Sequence, residues 1–135
     1  MATVTGLLST AELALLADAR RAVLATIAAD GRPRLVPIAY AVAPWTDADG
    51  RNVIYSPLDE KPKSVADPRR LARVRDILER PEVTLLIDRW SENWSELAWL
   101  RVEGEATLLE PSAGWTEAGR HADAVRLLRG RYPQY

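Results

Sequence analysis

The chain has 135 residues, 47% of them hydrophobic, with 18 basic and 19 acidic side chains and a net charge of −1; this excludes a disordered segment and a global polycation made for nucleic acid or an acidic membrane. Cysteine is absent, so disulfides, thiolate nucleophiles and cysteine-ligated metals are excluded as well. No basic stretch leads into an apolar one at the N-terminus, and no apolar run reaches the roughly 20 residues of a membrane helix, so the expectation is a single cytoplasmic domain over residues 1–135.

In chain order, the first predicted element is a short helix over Ser9 to Ala19. Ser9 and Glu12 have the spacing of a capping box, and Leu8 and Leu13 stand at the positions of a hydrophobic staple. A predicted strand, Arg21 to Ala29, carries Val23, Leu24, Thr26 and Ile27; Asp30-Gly31 reads as a two-residue hairpin turn into a return strand, Pro33 to Ala43. Pro37 in that strand has no N–H for a ladder, which implies an edge, a bulge or an approach by something other than a strand. A polar loop, Pro44 to Gly50, precedes a third strand, Arg51 to Ser56. Asp67 as N-cap and Pro68 at the first helical position predict a helix that Pro81 stops near Arg80. Strands over Val83 to Asp88 and Leu97 to Leu109 follow, then a helix over Trp115 to Arg129. Five strands in hairpin order imply an α+β, mainly β, antiparallel barrel or sandwich with added helices.

Between Lys61 and Arg75 lie six cations, Lys61, Lys63, Arg69, Arg70, Arg73 and Arg75, against the single acid Asp67. A net +5 concentrated there, on a Pro-stiffened loop and the start of a helix, has the makings of a phosphate site; a solvated basic helix face is the alternative. Ser56 ends the third strand five residues earlier, where a hydroxyl can meet a ligand or serve as a turn residue. Trp90, Trp94 and Trp99 cluster in a chain with no phenylalanine; they can stack on a planar ligand, bury a subunit contact or fill the core. His121 is the only histidine and has no evident orienting partner. Asp88, Glu92 and Glu96 read as solvent-facing or as bridges to arginines, so no metal site is expected. There is no nucleophile elbow and no Gly-x-Gly-x-x-Gly after a strand. If the chain is an enzyme, a cofactor supplies the hard chemistry, and no residue is assigned a catalytic role.

The ordered set Ala25-Thr26-Ile27, Asp30-Gly31-Arg32-Pro33, Leu35-Val36-Pro37-Ile38, Asp59-Glu60-Lys61-Pro62-Lys63, Arg70-Leu71-Ala72-Arg73-Val74-Arg75, Pro81, Leu85-Leu86-Ile87-Asp88, Trp94 and Trp99-Leu100-Arg101-Val102-Glu103-Gly104, closing with Arg131-Tyr132-Pro133-Gln134-Tyr135, resembles the pyridoxamine-phosphate-oxidase-like split-barrel flavoproteins. Within them it is most similar to the branch that depends on the deazaflavin coenzyme F420. The resemblance implies an antiparallel split β-barrel (an FMN-binding split barrel) with flanking helices, and a homodimer holding each cofactor in a cleft between subunits. It implies an oxidoreductase that transfers a hydride between F420 and a small unsaturated molecule, with FMN as the alternative cofactor and a non-catalytic flavin carrier as the alternative role. Nucleic acid and membrane are not implied partners. Position by position, Val36, Pro37 and Ile38 would line the ring system with backbone and apolar surface, and Ser56 would touch the ring or its chain. Lys61 and Lys63 would hold the phosphate, assisted by Arg69, Arg70 or Arg73, while Trp94 and Trp99 would come from the region meeting the partner. Two departures stand out: Ser64 to Pro68 is longer than in the shortest relatives, and relatives commonly run on past the position of Tyr135 into one more strand.

Overall fold

In a computed structural model, which describes residues 2–5, 7–58, 68–110 and 115–134, seven strands and three helices follow one another. They are β1 (Ala2–Thr5), α1 (Thr10–Asp18), β2 (Ala22–Ile27), β3 (Pro33–Ile38), β4 (Ala41–Thr46), β5 (Asn52–Tyr55), α2 (Ala72–Glu79), β6 (Glu82–Arg89), β7 (Ala98–Thr107) and α3 (Trp115–Arg131). The strands form one sheet in the order β3-β2-β6-β7-β1-β5-β4, and every neighbouring pair is antiparallel. The sheet therefore has two free edges, β3 and β4, as an antiparallel split barrel does.

The expected start of α1 holds. The Ser9 amide donates to Glu12 Oε1 at 2.8 Å, and the Glu12 amide donates to Ser9 Oγ at 3.1 Å. These two bonds satisfy orphan donors of the first turn, and the bond from the Ser9 amide holds the Glu12 carboxyl below its usual range. Leu16 is fully buried, with Leu8 and Leu13 packed beside it.

The turns are one residue larger than the Asp30-Gly31 motif implies. Ala28 N donates to Arg32 O and Gly31 N to Ala28 O, both at 2.8 Å, with Gly31 at φ +85°. The β4–β5 turn repeats the arrangement: Asp47 N donates to Arg51 O, Gly50 N donates to Asp47 O, and Gly50 has φ +75°. A three-residue loop whose last residue is left-handed needs glycine at that point.

Three further expectations are corrected. The predicted strand Pro33 to Ala43 is two strands at opposite edges of the sheet, and the cause lies at Tyr40. Its amide donates to the Tyr132 hydroxyl at 3.2 Å and its carbonyl accepts from the same hydroxyl at 3.0 Å. A side chain thus takes the groups a ladder would use. The predicted helix from Asp67 is a 3-10 turn, Pro68–Arg70, followed by an extended Leu71 and then α2; Asp67 itself lies outside the described residues. The helix proper begins where Val74 and Ile77 can be buried on one face. Finally, β1 makes seven strands where five were expected, and it joins the halves by pairing with both β7 and β5.

Two apolar clusters stabilise the fold. The larger lies inside the sheet, around Leu16, Leu24, Ile54, Leu85, Ile87 and Val102. The smaller packs Ala124, Leu128 and Tyr132 against Ala43, Val53 and Tyr55 on β4 and β5. Each fully buried large aliphatic contributes about 1.5–3 kcal/mol. The end of α3 is clasped to the end of α1. Arg131 donates to the carbonyls of Leu16 (3.1 Å) and Ala19 and to the Tyr132 hydroxyl (3.1 Å), and lies 4.7 Å above the Tyr40 ring. Among the described residues no helix is long and apolar enough to cross a membrane.

Candidate functional site at the β3 edge and the arginine helix

The alternation of β3 sorts its three expected residues. Ile38 is in the core and Val36 packs against it, whereas Pro37 is exposed. A ligand at this strand meets the side chain of Pro37 but only the main chain of Val36 and Ile38. The position of Pro37 follows from its missing N–H: β3 is an edge strand, as expected.

Ser56, just after β5, is buried, and its Oγ donates to the Ala39 carbonyl at 2.8 Å. That bond ties the end of β5 to the end of β3, so the segment entering the basic stretch leaves from beside the proline-bearing strand. Lys61 and Lys63 lie outside the described residues.

The three arginines are brought to one part of the fold but into different surroundings. Arg69, on the 3-10 turn, makes a 2.8 Å ion pair with Glu110, and Arg70 beside it is exposed. Arg73 is half-buried on α2; its Nε is buried and has no hydrogen-bond partner among the described residues. Spacing explains why it is drawn inward: Arg73 stands three residues before Asp76 and four before Ile77, on the inward face of α2. Asp76 Oδ2 accepts from Thr26 Oγ1 at 2.7 Å and from Arg34 Nε at 2.8 Å, which pins α2 to β2 and β3. Burial alone would raise the Asp76 carboxyl, but the bonds from Thr26 and Arg34 outweigh it and hold the group below its usual range. The anchored helix therefore holds a guanidinium with an unused, desolvated donor. Such a donor costs free energy until an acceptor arrives, and an anionic oxygen is the best acceptor for it. A phosphorylated cofactor fits this donor set.

Trp94 and Trp99 are 76% and 66% exposed, so neither fills the core. Trp94 opens a 3-10 turn capped by Asn93, whose Oδ1 accepts from Ser95 N at 3.2 Å. Trp99 is on β7 opposite Asp88. Register carries its face across the sheet, since Arg101 pairs with Leu86, Leu86 with Val23 and Val23 with Pro37. Pro37 and Trp99 thus share the outer face, while Ser56 is buried and α2 anchors to the inner side.

Among the described residues no three His, Asp or Glu side chains come together in a way that could hold a metal. Glu96 accepts from Ser91 Oγ at 2.9 Å, and Asp88 and Glu92 are exposed. His121 is half-buried on α3. Sequence reading missed the Thr26–Asp76–Arg34 anchor. The available signal was an acid standing between Val74 and Ile77, on the apolar phase of a basic helix.

The profile of the pyridoxamine 5'-phosphate oxidase family matches residues 8–131 of this chain. No relative among the curated proteins is significantly similar. Among solved structures, the conserved hypothetical protein Rv2991 from Mycobacterium tuberculosis superposes with a TM-score of 0.66 at 22% identity, covering 95% of this chain and 66% of that one. A second solved chain superposes with a TM-score of 0.55 at 27% identity, covering 90% of this chain and 67% of that one. These likenesses support the fold, and the chain spans about two thirds of the length of the solved structures it resembles. Split-barrel topology and the match over nearly the whole chain lead to one conclusion: the chain belongs to the pyridoxamine 5'-phosphate oxidase family.

Proposed function

We propose that this chain is a deazaflavin-dependent oxidoreductase, acting as a homodimer of single-domain subunits on a small unsaturated molecule, with coenzyme F420 in preference to FMN. The observation that carries the reading is the buried Nε of Arg73, which has no partner among the described residues, on a helix anchored beside β3. In this reading Arg73, with Arg69, Arg70, Lys61 and Lys63 from the same basic stretch, grips the phosphate of the cofactor. The free edge of β3 gives main-chain groups and the Pro37 side chain to the ring, and Ser56 fixes the gap between the ends of β3 and β5 through its bond to Ala39. When bound, the reduced deazaflavin supplies the hydride. The protein's part is to hold the two reactants together and exclude water. The Lys61-Pro62-Lys63 loop and the Trp94 and Trp99 pair favour F420 over FMN through their resemblance to that branch.

The outer face of β3, β2, β6 and β7 supports the dimer. Leu35, Leu86, Trp90, Trp94 and Trp99 are all exposed large apolar residues, and such patches mark contact surfaces. A twofold contact of this face with itself would cover them and bring the partner's tryptophans near the cofactor edge.

A titration watching tryptophan fluorescence tests cofactor choice. F420 should quench at micromolar concentration and FMN more weakly, and charge reversal at Lys61 and Lys63 should abolish quenching. Stronger quenching by FMN would reassign the cofactor. Tight F420 binding with no acceptor able to oxidise the reduced form would leave a carrier. Replacing Leu86 with Glu should give a monomer in sedimentation; an unchanged mass would move the interface elsewhere.

A further inference from the structure

A second cleft, of about 460 Å³, lies on the outer side of the other half of the sheet, under the first half of α3. The cofactor reading uses none of it. Its volume is within the range of small-ligand sites.

Its walls are aromatic and aliphatic, with Trp45 on β4, Val53 and Tyr55 on β5, and Leu109 after β7. Charged groups surround them, and two kinds can be separated. Arg51 is occupied by Asp47 at 3.3 Å and Asp49 at 3.1 Å, and Asp123 by Arg126 at 3.2 Å. Glu105 on β7 and Arg120 on α3 have no ion-pair partner among the described residues. Among the described residues the cleft therefore presents one uncommitted anion and one uncommitted cation beside an aromatic wall.

The most buried residue of the lining is Tyr55, only 4% exposed. Trp45 lines the same wall, and the Tyr55 phenol has a proton to donate. Burial, the largest influence on it, raises the phenol above its ordinary range, so the proton stays in place at neutral pH. Asp123 and Arg120 on α3 line the cleft together with Tyr55, and Asp123 is held by Arg126. Two donors, Tyr55 and Arg120, line the cleft and suit a carboxylate, while Glu105 suits an ammonium.

We propose that this cleft binds a small zwitterion with an apolar side chain, of the α-amino-acid class. Its carboxylate lies at Arg120 and the Tyr55 hydroxyl, its ammonium at Glu105, and its side chain against Trp45. The site is independent of the cofactor, so its failure would leave the proposed function standing.

The test uses the full chain, with and without saturating FMN, and reads the indole N–H resonance of Trp45, assigned by its loss in Trp45→Phe. The probes are L-phenylalanine, phenethylammonium (no carboxylate) and 3-phenylpropionate (no ammonium). Phenylalanine should shift the resonance saturably, and each half-ligand should bind about tenfold more weakly. Arg120→Gln should erase the preference over phenethylammonium, and Glu105→Gln the preference over 3-phenylpropionate; both positions are exposed, so neither change threatens folding. No Trp45 response at millimolar phenylalanine, equal binding of all three probes, or unchanged preferences in both variants would overturn the proposal.

Discussion

Arg131 and Arg73 are both drawn towards the interior of the same small fold, and their surroundings differ. Arg131 is satisfied: it donates to Leu16, Ala19 and Tyr132, and its guanidinium lies over the rings of Tyr40 and Tyr132. Arg20 doubles the clasp by donating to the Arg131 carbonyl at 2.8 Å and sitting 4.9 Å above the Tyr132 ring. Arg73 keeps a buried Nε with no acceptor among the described residues, although the helix that carries it is firmly anchored through Asp76. Saturated donors are what stability alone demands, since an unmade buried bond is costly. An unsaturated donor on a rigid support is what ligand binding demands. The clasp is therefore read as structural and the α2 arginine as functional, and each substitution below separates the two roles.

The largest effect on stability is expected at the clasp. Arg131→Ala removes three hydrogen bonds and two ring contacts and should cost about 3 kcal/mol in urea unfolding, with cofactor affinity unchanged while the chain stays folded. Arg73→Met should do the reverse. One charge-assisted bond is worth about 1.5–3 kcal/mol, so affinity for a phosphorylated flavin should fall by about 10- to 150-fold in calorimetry while stability holds or improves slightly.

Asp76→Asn tests the support beneath Arg73. The wild-type carboxyl is depressed in the folded state relative to its unfolded value of 3.8. Its stabilisation is therefore fully present above that pH and is lost as pH falls through the lower folded value. Unfolding followed between neutral pH and pH 2 should show the loss in wild type, and the part due to this group should be missing from the Asn variant. At neutral pH the variant should be less stable by about 1–2 kcal/mol. The smallest effect is expected from Ser56→Ala, which removes the bond to Ala39 and should cost about 1 kcal/mol. A larger loss in cofactor affinity than in stability there would show that the gap between β3 and β5 matters for binding.

Local chemistry was legible in the sequence. The Ser9 and Glu12 capping box depends on residues three apart and stands as read; the missing N–H of Pro37 left an edge, a bulge or another approach open, and the fold uses the edge. Effects from distant residues were not. The chain breaks between β3 and β4 because Tyr132, 92 residues from Tyr40, takes its main-chain groups. β1 is four residues long without turn signals at its start, and only pairing on both sides makes it a strand. At the candidate site the charge of Arg73 was legible and its burial was not, because burial depends on how Asp76 and Ile77 orient α2. The outward alternation that leaves only Pro37 of its triplet with an accessible side chain was implicit in the period of two, but reading it required knowing which face held the core.

The most direct measurement compares FMN with riboflavin, which has the same ring without the phosphate, on wild type and on Arg73→Met, with F420 titrated in parallel. The account predicts that wild type binds the phosphorylated ligands at least about tenfold more tightly than riboflavin, and that the substitution removes most of this difference while leaving riboflavin affinity in place. Equal affinity of wild type for FMN and riboflavin, or a phosphate preference untouched by Arg73→Met, would contradict it.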